Sequence, residues 1–193
     1  MPPRVPGEET KPAPMPLLLV QSFVNTWDAD HRSDLLLDPA AARDWLAQAG
    51  LWSADRAPDP AELHLTRGVR EGIRAMLVAN SGGATPAPGD LQPLQAVAQA
   101  CRPAVQVGPG GQVGLGSDPA GPPGAGLLTL LLVIRDAQGD GTWQRLKACG
   151  NPDCRWAFYD RSRNRSGVWC SMDDCGSKAK MRAYRKRQAP AAG

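Results

Sequence analysis

A chain of 193 residues with 22 Lys and Arg against 19 Asp and Glu, a formal charge of +3, has room for one ordinary core and a small appendage. Aromatic residues are only 5%, yet Trp accounts for six of them and Leu, Val and Ala are plentiful, which excludes disorder over most of the length. The total charge hides an asymmetry: Arg145 to Gln188 holds twelve Lys or Arg against four Asp, leaving the rest acidic on balance, so a polyanionic partner is expected for that end alone.

Met1 to Pro16 is rich in Pro with little to bury and predicts a flexible leader. Nothing at the front reads as a signal peptide, and the longest apolar run, Leu127 to Ile134, is too short to span a bilayer; the expectation is a soluble, cytoplasmic protein with no membrane partner. The apolar stretch Leu17 to Val24 fits either a short helix or a strand. Asn25 and Thr26, which interrupt it, either cap a helix end or line a ligand pocket. Asp38-Pro39 opens a helix with Asp as cap and Pro at its first position, and Gly50 follows its last turn. From Ala61 the positions Leu65, Val69, Ile73, Met76 and Leu77 follow the 3.6-residue repeat, with Arg67, Arg70, Glu71 and Arg74 on the other sides. Asp90 caps a further helix through Leu94 and Val97, and Pro103 ends it. Val105 and Val107, a Gly110-Gly111 turn, and Val113 and Leu115 alternate as a β-hairpin. After a Gly- and Pro-rich connection at 116–126, Leu127 to Ile134 is apolar all round and predicts the buried central helix.

Four of the five cysteines form two pairs, Cys149 with Cys154 and Cys170 with Cys175. Paired thiolates at short spacing let one turn present two soft anionic donors to one ion, and four of them close a tetrahedral zinc shell with no position for water. That predicts a structural zinc and no enzyme, since a saturated shell cannot activate water. Gly150 to Asp153 is turn chemistry between two ligands. Arg155–Tyr159 and Gly167–Trp169 are expected to pair as short strands around a loop holding Arg161, Arg163 and Arg165. Ser171, with Asp174 three residues on, reads as a helix cap, putting Cys175 in the first turn of a final helix. That helix carries Lys178, Lys180, Arg182, Arg185, Lys186 and Arg187. Lys178, Arg182 and Arg185 share a face by their spacing, and Lys178, Lys180, Arg182, Arg185 and Lys186, with Arg155 and the loop residues Arg161, Arg163 and Arg165, are the candidate nucleic-acid contacts. Cys101, at the end of an apolar helix, reads as core rather than as a sensor thiol, and Trp27, Trp45, Trp52 and Trp143 as packing anchors.

At Cys149-Gly150-Asn151-Pro152-Asp153-Cys154, Trp169-Cys170-Ser171-Met172 and Cys175-Gly176-Ser177-Lys178 the chain resembles the bacterial CGNR zinc-finger family, whose members carry an N-terminal helical ABATE domain and are described as stress-induced transcription regulators. Phe23-Val24-Asn25-Thr26, Asp34-Leu35-Leu36, Trp45-Leu46, Gly50-Leu51 and Arg70-Glu71 extend the resemblance forward. The motif that names the family departs here, with Ser177-Lys178 standing for Asn-Arg. Lys keeps the charge and loses the bidentate fork. The expected architecture is mainly α: a leader at 1–16, an ABATE-like helical domain with one small β-hairpin at 17–141, a treble-clef-like four-cysteine finger with a short hairpin and basic helix at 142–188, and a disordered tail at 189–193. The resemblance implies a zinc-dependent regulator that binds DNA, with RNA as a variant. Its helical domain would either sense a small-molecule effector or mediate assembly, a homodimer included. The competing expectation is a redox- or zinc-sensing protein-interaction module that binds no DNA.

Overall fold

The segment Leu17–Val24 is helical (α1), the first of the two conformations its composition allowed. The computed structural model describes residues 6–117 and 124–188. The first five residues of the leader, part of the 116–126 connection and the tail at 189–193 lie outside the described residues, as does the side chain of Lys186. After α1, a two-residue ladder of β1 (Trp27–Asp28) and β2 (Ser33–Asp34) leads to α2 (Pro39–Gln48), capped by the Asp38 carboxylate on the Ala41 amide at 2.7 Å as the Asp-Pro pair predicts. Gly50 follows with φ +70°, where a side chain would strain the backbone.

The long helix α3 (Pro60–Asn80) begins with a full capping box. The Asp59 carboxylate accepts from the Glu62 amide, and the Glu62 carboxylate accepts from the Asp59 amide, both at 2.8 Å. Its buried face is broader than the apolar repeat suggests. Arg70 and Arg74, expected on the outer sides, are 3% and 2% exposed, while Leu65 and Met76 are only partly buried. Two guanidiniums replace apolar side chains on that face because every nitrogen of each is hydrogen-bonded, to Glu71 on the same helix and to groups brought by neighbouring elements.

α4 (Pro88–Ala100) starts two residues before Asp90, so this residue caps from the third helical position, its carboxylate accepting from the Ala87 amide at 2.8 Å. α3 and α4 pack closely through glycines. A Cβ on Gly72 would lie 2.4 Å from the Asp90 carbonyl oxygen and 2.2 Å from Leu94, and one on Gly68 would lie 2.8 Å from Pro93. Gly72→Ala is therefore expected to cost about 1–3 kcal/mol by forcing the helices apart, read as a lowered urea midpoint with unchanged slope. β3 (Pro103–Val107) and β4 (Val113–Ser117) form the expected antiparallel hairpin, with Val105 opposite Leu115 and Val107 opposite Val113. α5 (Leu127–Gly139) buries Leu127, Leu128, Leu130, Val133, Ile134 and Ala137 and is the central helix of the body.

The apolar core gathers α1 through Phe23, α2 through Leu46, α3 through Ile73 and Leu77, α4 through Val97, and α5. It then continues across the expected division at 141/142. Trp143, Leu146, Ala148, Ala157 and Tyr159 belong to the same cluster, through β5 (Leu146–Ala148) and β6 (Ala157–Tyr159), which pair antiparallel. Cys101 is buried in this cluster, and burial raises its thiol pKa. Of the other Trp residues, Trp45 lies 6.2 Å from Phe23 between ring centres and Trp52 sits under the Arg56 guanidinium.

The leader is a correction. Residues 9–16 are seated on the molecule rather than free of it: Ala13 is 5% exposed, the Glu9 carboxylate accepts from the Trp156 indole at 3.0 Å, and the Lys11 ammonium donates to the Trp169 carbonyl at 2.7 Å. Proline-rich backbone needs few partners of its own, so a segment with no apolar pattern can still be held by its neighbours' donors. Among the described residues no helix is long and apolar enough to cross a membrane.

Candidate metal centre and basic helix

The strands that carry the first cysteine pair differ from those expected. Residues 167–169 form no strand. The hairpin is β5–β6, with Lys147 opposite Phe158, and Cys149 and Cys154 sit in its turn. Its register is continued by the Cys149 amide donating to the Trp156 carbonyl at 2.9 Å. The segment 167–169 instead runs alongside, the Val168 carbonyl accepting from the Gly150 amide at 2.9 Å, and so brings Cys170 back to the turn. Ser171 then caps, through its hydroxyl to the Asp174 amide at 3.4 Å, a wide helical turn over Met172–Gly176 that holds Cys175. α6 (Ser177–Gln188) continues from it.

The four sulfurs converge. All lie within 4.8 Å of one another, with Cys154 to Cys170 at 3.7 Å and Cys170 to Cys175 at 3.8 Å. Four sulfurs placed about 2.3 Å from one ion in a tetrahedron stand about 3.8 Å apart, so the pocket has the dimensions of a thiolate shell. None of the cysteines forms a disulfide. Trp156, Phe158 and Trp169 pack around them, and the Asn151 amide donates to the Cys175 sulfur at 3.7 Å, a contact that steadies a ligand from outside the shell. Burial and then the charges of Cys154 and Cys149 push the Cys175 thiol up to about 12. The contacts with Cys149 and Cys154, then burial, hold Cys170 well above the ordinary thiol range. Four anions crowded in a dry pocket repel one another, and a dication supplies the charge that reverses this. The donor set thus fits a metal ion.

α6 exposes Lys178, Lys180, Arg182, Arg185 and Arg187. Lys178, Arg182 and Arg185 line one groove with Asp173, Asp174, Ser177 and Met181, as their spacing predicts. Two of the three are already engaged within the chain. Lys178 pairs with Asp174 at 3.0 Å and with Asp30 of the β1–β2 turn at 3.3 Å, and Arg182 donates to the Asn151 side-chain oxygen at 2.9 Å. Among the described residues Lys180, Arg185 and Arg187 have no hydrogen-bond or ion-pair partner. Arg161, Arg163 and Arg165 are exposed on the loop after β6, with Arg161 donating to the Pro12 carbonyl at 2.9 Å. Arg155 is placed apart from α6, against α3 and the start of α4.

Asn25 and Thr26, candidates for a ligand pocket, are 1% and 2% exposed and are used inside the fold. The Asn25 side-chain oxygen accepts from the Ala157 amide at 2.7 Å and its nitrogen donates to the Ala157 carbonyl at 3.0 Å, so it extends the β6 ladder as a further strand residue would. Its second N–H goes to Glu9 at 2.8 Å, so both donors and the oxygen of the side chain are engaged. Thr26 donates to the Phe23 carbonyl at 2.8 Å and accepts from Arg70, whose guanidinium grips Asp34 with both terminal nitrogens at 2.6 and 2.9 Å. Arg74 spans from the Val24 carbonyl at 2.7 Å to the Arg155 carbonyl at 2.9 Å and ties the finger to α1 and α3.

Sequence reasoning missed the pair Lys147–Asp160, 2.8 Å apart with side chains 7% and 3% exposed. Lys147 also donates to the Arg165 and Gly167 carbonyls and so fixes the loop that returns the chain to Cys170. The available signal was a single Lys inside the apolar Leu146-Lys147-Ala148 strand, with one Asp among basic neighbours downstream.

A helical body whose core runs into a treble-clef-like finger with four converging cysteines defines a metal-finger protein. The family model of the CGNR zinc finger matches residues 145–188, and that of ABATE, "Putative stress-induced transcription regulator", matches residues 18–138. The chain belongs to this family, an ABATE domain followed by a CGNR finger. No curated protein sequence matches it.

Proposed function

We propose that the chain is a zinc-dependent DNA-binding transcription regulator in which the four thiolates hold zinc, α6 and the arginine loop meet the phosphate backbone, and the helical body receives a signal. One observation carries the reading: α6 leaves the cysteine cluster with Lys180, Arg185 and Arg187 exposed and unpaired among the described residues. Zinc suits an all-thiolate shell of these dimensions and fixes the base of the helix; when bound it closes the shell and supplies no open coordination position. Each phosphate neutralised releases a counterion, so the salt dependence counts contacts. Lys178 and Arg182, already bonded within the chain, serve more to hold α6 in place than to bind phosphate. Binding, not catalysis, is the activity this arrangement supports.

The test is a titration of zinc-loaded protein with duplex DNA across a salt series. Lys180→Gln with Arg185→Gln is expected to lower the slope of log K against log salt by about 2 and to weaken binding by about ten- to a hundredfold near 0.1 M salt. Protein that ignores duplex DNA at every salt concentration would sink the reading and turn the search to an acidic protein partner. Preference for structured RNA in competition would change the polymer and keep the interface.

A further inference from the structure

Between the helical body and the turn that holds Cys149 and Cys154 lie two adjoining hollows. The first, about 280 Å³, is lined by Glu71, Arg74, Val78, Thr85, Asp90 and Arg155 among others. The second, about 320 Å³, is lined by Val78, Ala148, Pro152 and Arg155 among others. They meet at Val78 and Arg155, and together they fall in the size range of small-molecule sites, roughly 300–1,000 Å³.

Arg155 is the unusual member. It follows the second cysteine of the turn with φ +52°, the left-handed conformation where glycine is at ease and a long side chain is not. Its backbone is pinned there by the buried Arg74, which donates to its carbonyl at 2.9 Å, whereas its guanidinium has no partner among the described residues. A strained residue held by its surroundings, with an unoccupied charged head lining a hollow, is the pattern of a ligand contact. The opposite charge is also at hand. Both Glu71 oxygens are taken by Arg70 and Arg74, but Asp90 uses only one oxygen, on the Ala87 amide, and Thr85 lines the same hollow. The second hollow presents a mostly apolar wall of Val78, Ala148, Pro152 and glycines.

We propose that this junction binds a free α-amino acid with an apolar side chain: its carboxylate on Arg155, its ammonium on Asp90, and its side chain in the hollow of Val78, Ala148 and Pro152. A lone carboxylate would meet only Arg155 and a lone amine only Asp90, whereas an α-amino acid meets both, and both charges are exposed to the hollow's mouth. The site gives the signal-receiving half of the preceding reading a place and a chemistry. It rests on that half alone and is measured without nucleic acid, so a failure of DNA binding and a failure of this site are separate results.

The probe is L-leucine, titrated calorimetrically into the metal-loaded full chain alongside 4-methylpentanoate, which lacks the ammonium, and isoamylamine, which lacks the carboxylate. Saturable heat and a raised Tm are expected for leucine, with both analogues at least about tenfold weaker. Arg155→Gln and Asp90→Asn are each expected to weaken leucine by about tenfold or more, and Arg135→Gln, on the exposed side of α5, to leave it unchanged. Arg155→Gly separates ligand contact from structure: it relieves the left-handed backbone, so Tm without ligand should hold or rise while binding is lost. Absence of heat and Tm shift with leucine, valine, methionine and phenylalanine at about 10 mM would overturn the proposal, as would equal leucine affinity in Arg155→Gln.

Discussion

Withdrawing the metal is expected to melt the helical body together with the finger. The cysteines sit in the turn of β5–β6, and Leu146, Ala148, Ala157 and Tyr159 from those strands are buried in the same core as α1, α3 and α5. Several of the bonds that cross between the two parts end on this hairpin or its turn: Asn25 on Ala157, Ser81 on the Ala148 carbonyl at 2.8 Å, Asn80 on the Leu146 carbonyl at 2.9 Å, and Arg74 on Arg155. A structural zinc site contributes on the order of 10 kcal/mol, and a domain of this size has a total stability of about 5–15 kcal/mol. Chelation, or Cys170→Ser with Cys175→Ser, should therefore remove most of the helical circular-dichroism melt and not merely a small finger transition. A helical signal that melts at the original temperature after zinc is gone would show that the body stands without the hairpin.

Asp160→Ala is expected to cost about 3–5 kcal/mol, because it leaves the Lys147 ammonium buried with its charge unanswered. Removing both charges as Lys147→Met with Asp160→Leu should recover most of that loss, since a buried pair replaced by apolar groups of similar volume is often neutral. The pH dependence has a defined sign. Burial tends to raise the Asp160 carboxyl, but hydrogen bonds from Lys147, from Ser162 and from the Gly167 amide outweigh it and hold the group well below the usual carboxylate range. A depressed folded-state pKa gives stability that is present above the unfolded value of about 3.9 and lost as pH falls through the folded one. The gap in urea stability between the wild type and Asp160→Asn at equal metal content should be full above about pH 5 and narrow steadily in more acid solution. A gap that widens on acidification would mean that Asp160 is not ionised in the folded protein.

Local chemistry carried most of the fold. The Asp38-Pro39 cap, the hairpin of Val105, Val107, Val113 and Leu115, and the all-apolar α5 each depend on residues within a few positions, and each stands as the pattern indicates. The cysteine spacing likewise places the four sulfurs, because ligand pairs are themselves local. What the sequence hid depends on distant partners. Arg70 and Arg74 look like solvent-facing charges until Asp34 and the Val24 and Arg155 carbonyls are brought to them. Asn25 looks like a cap or a pocket residue because its partner, Ala157, lies more than a hundred positions away. The finger hairpin pairs one segment earlier than the local pattern indicates, for the same reason. Arg155–Tyr159 has two candidate neighbours, and burial of Leu146 in the body's core decides between them.

The root of α6 is bonded both to the helical body and to the cysteine turn, and this turns the helix into a lever. Twelve residues at about 1.5 Å each make an arm of about 18 Å from Ser177 to Gln188. Its root is clamped on two sides, by Asp30 of the body through Lys178 and by Asn151 of the cysteine turn through Arg182. A tilt of about 10° at the root sweeps the far end by about 3 Å, close to the rise of one base pair along a duplex strand. A repacking of α3 against the cysteine turn too small to alter any element would thus move the Arg185 and Arg187 positions by about 2 to 3 Å.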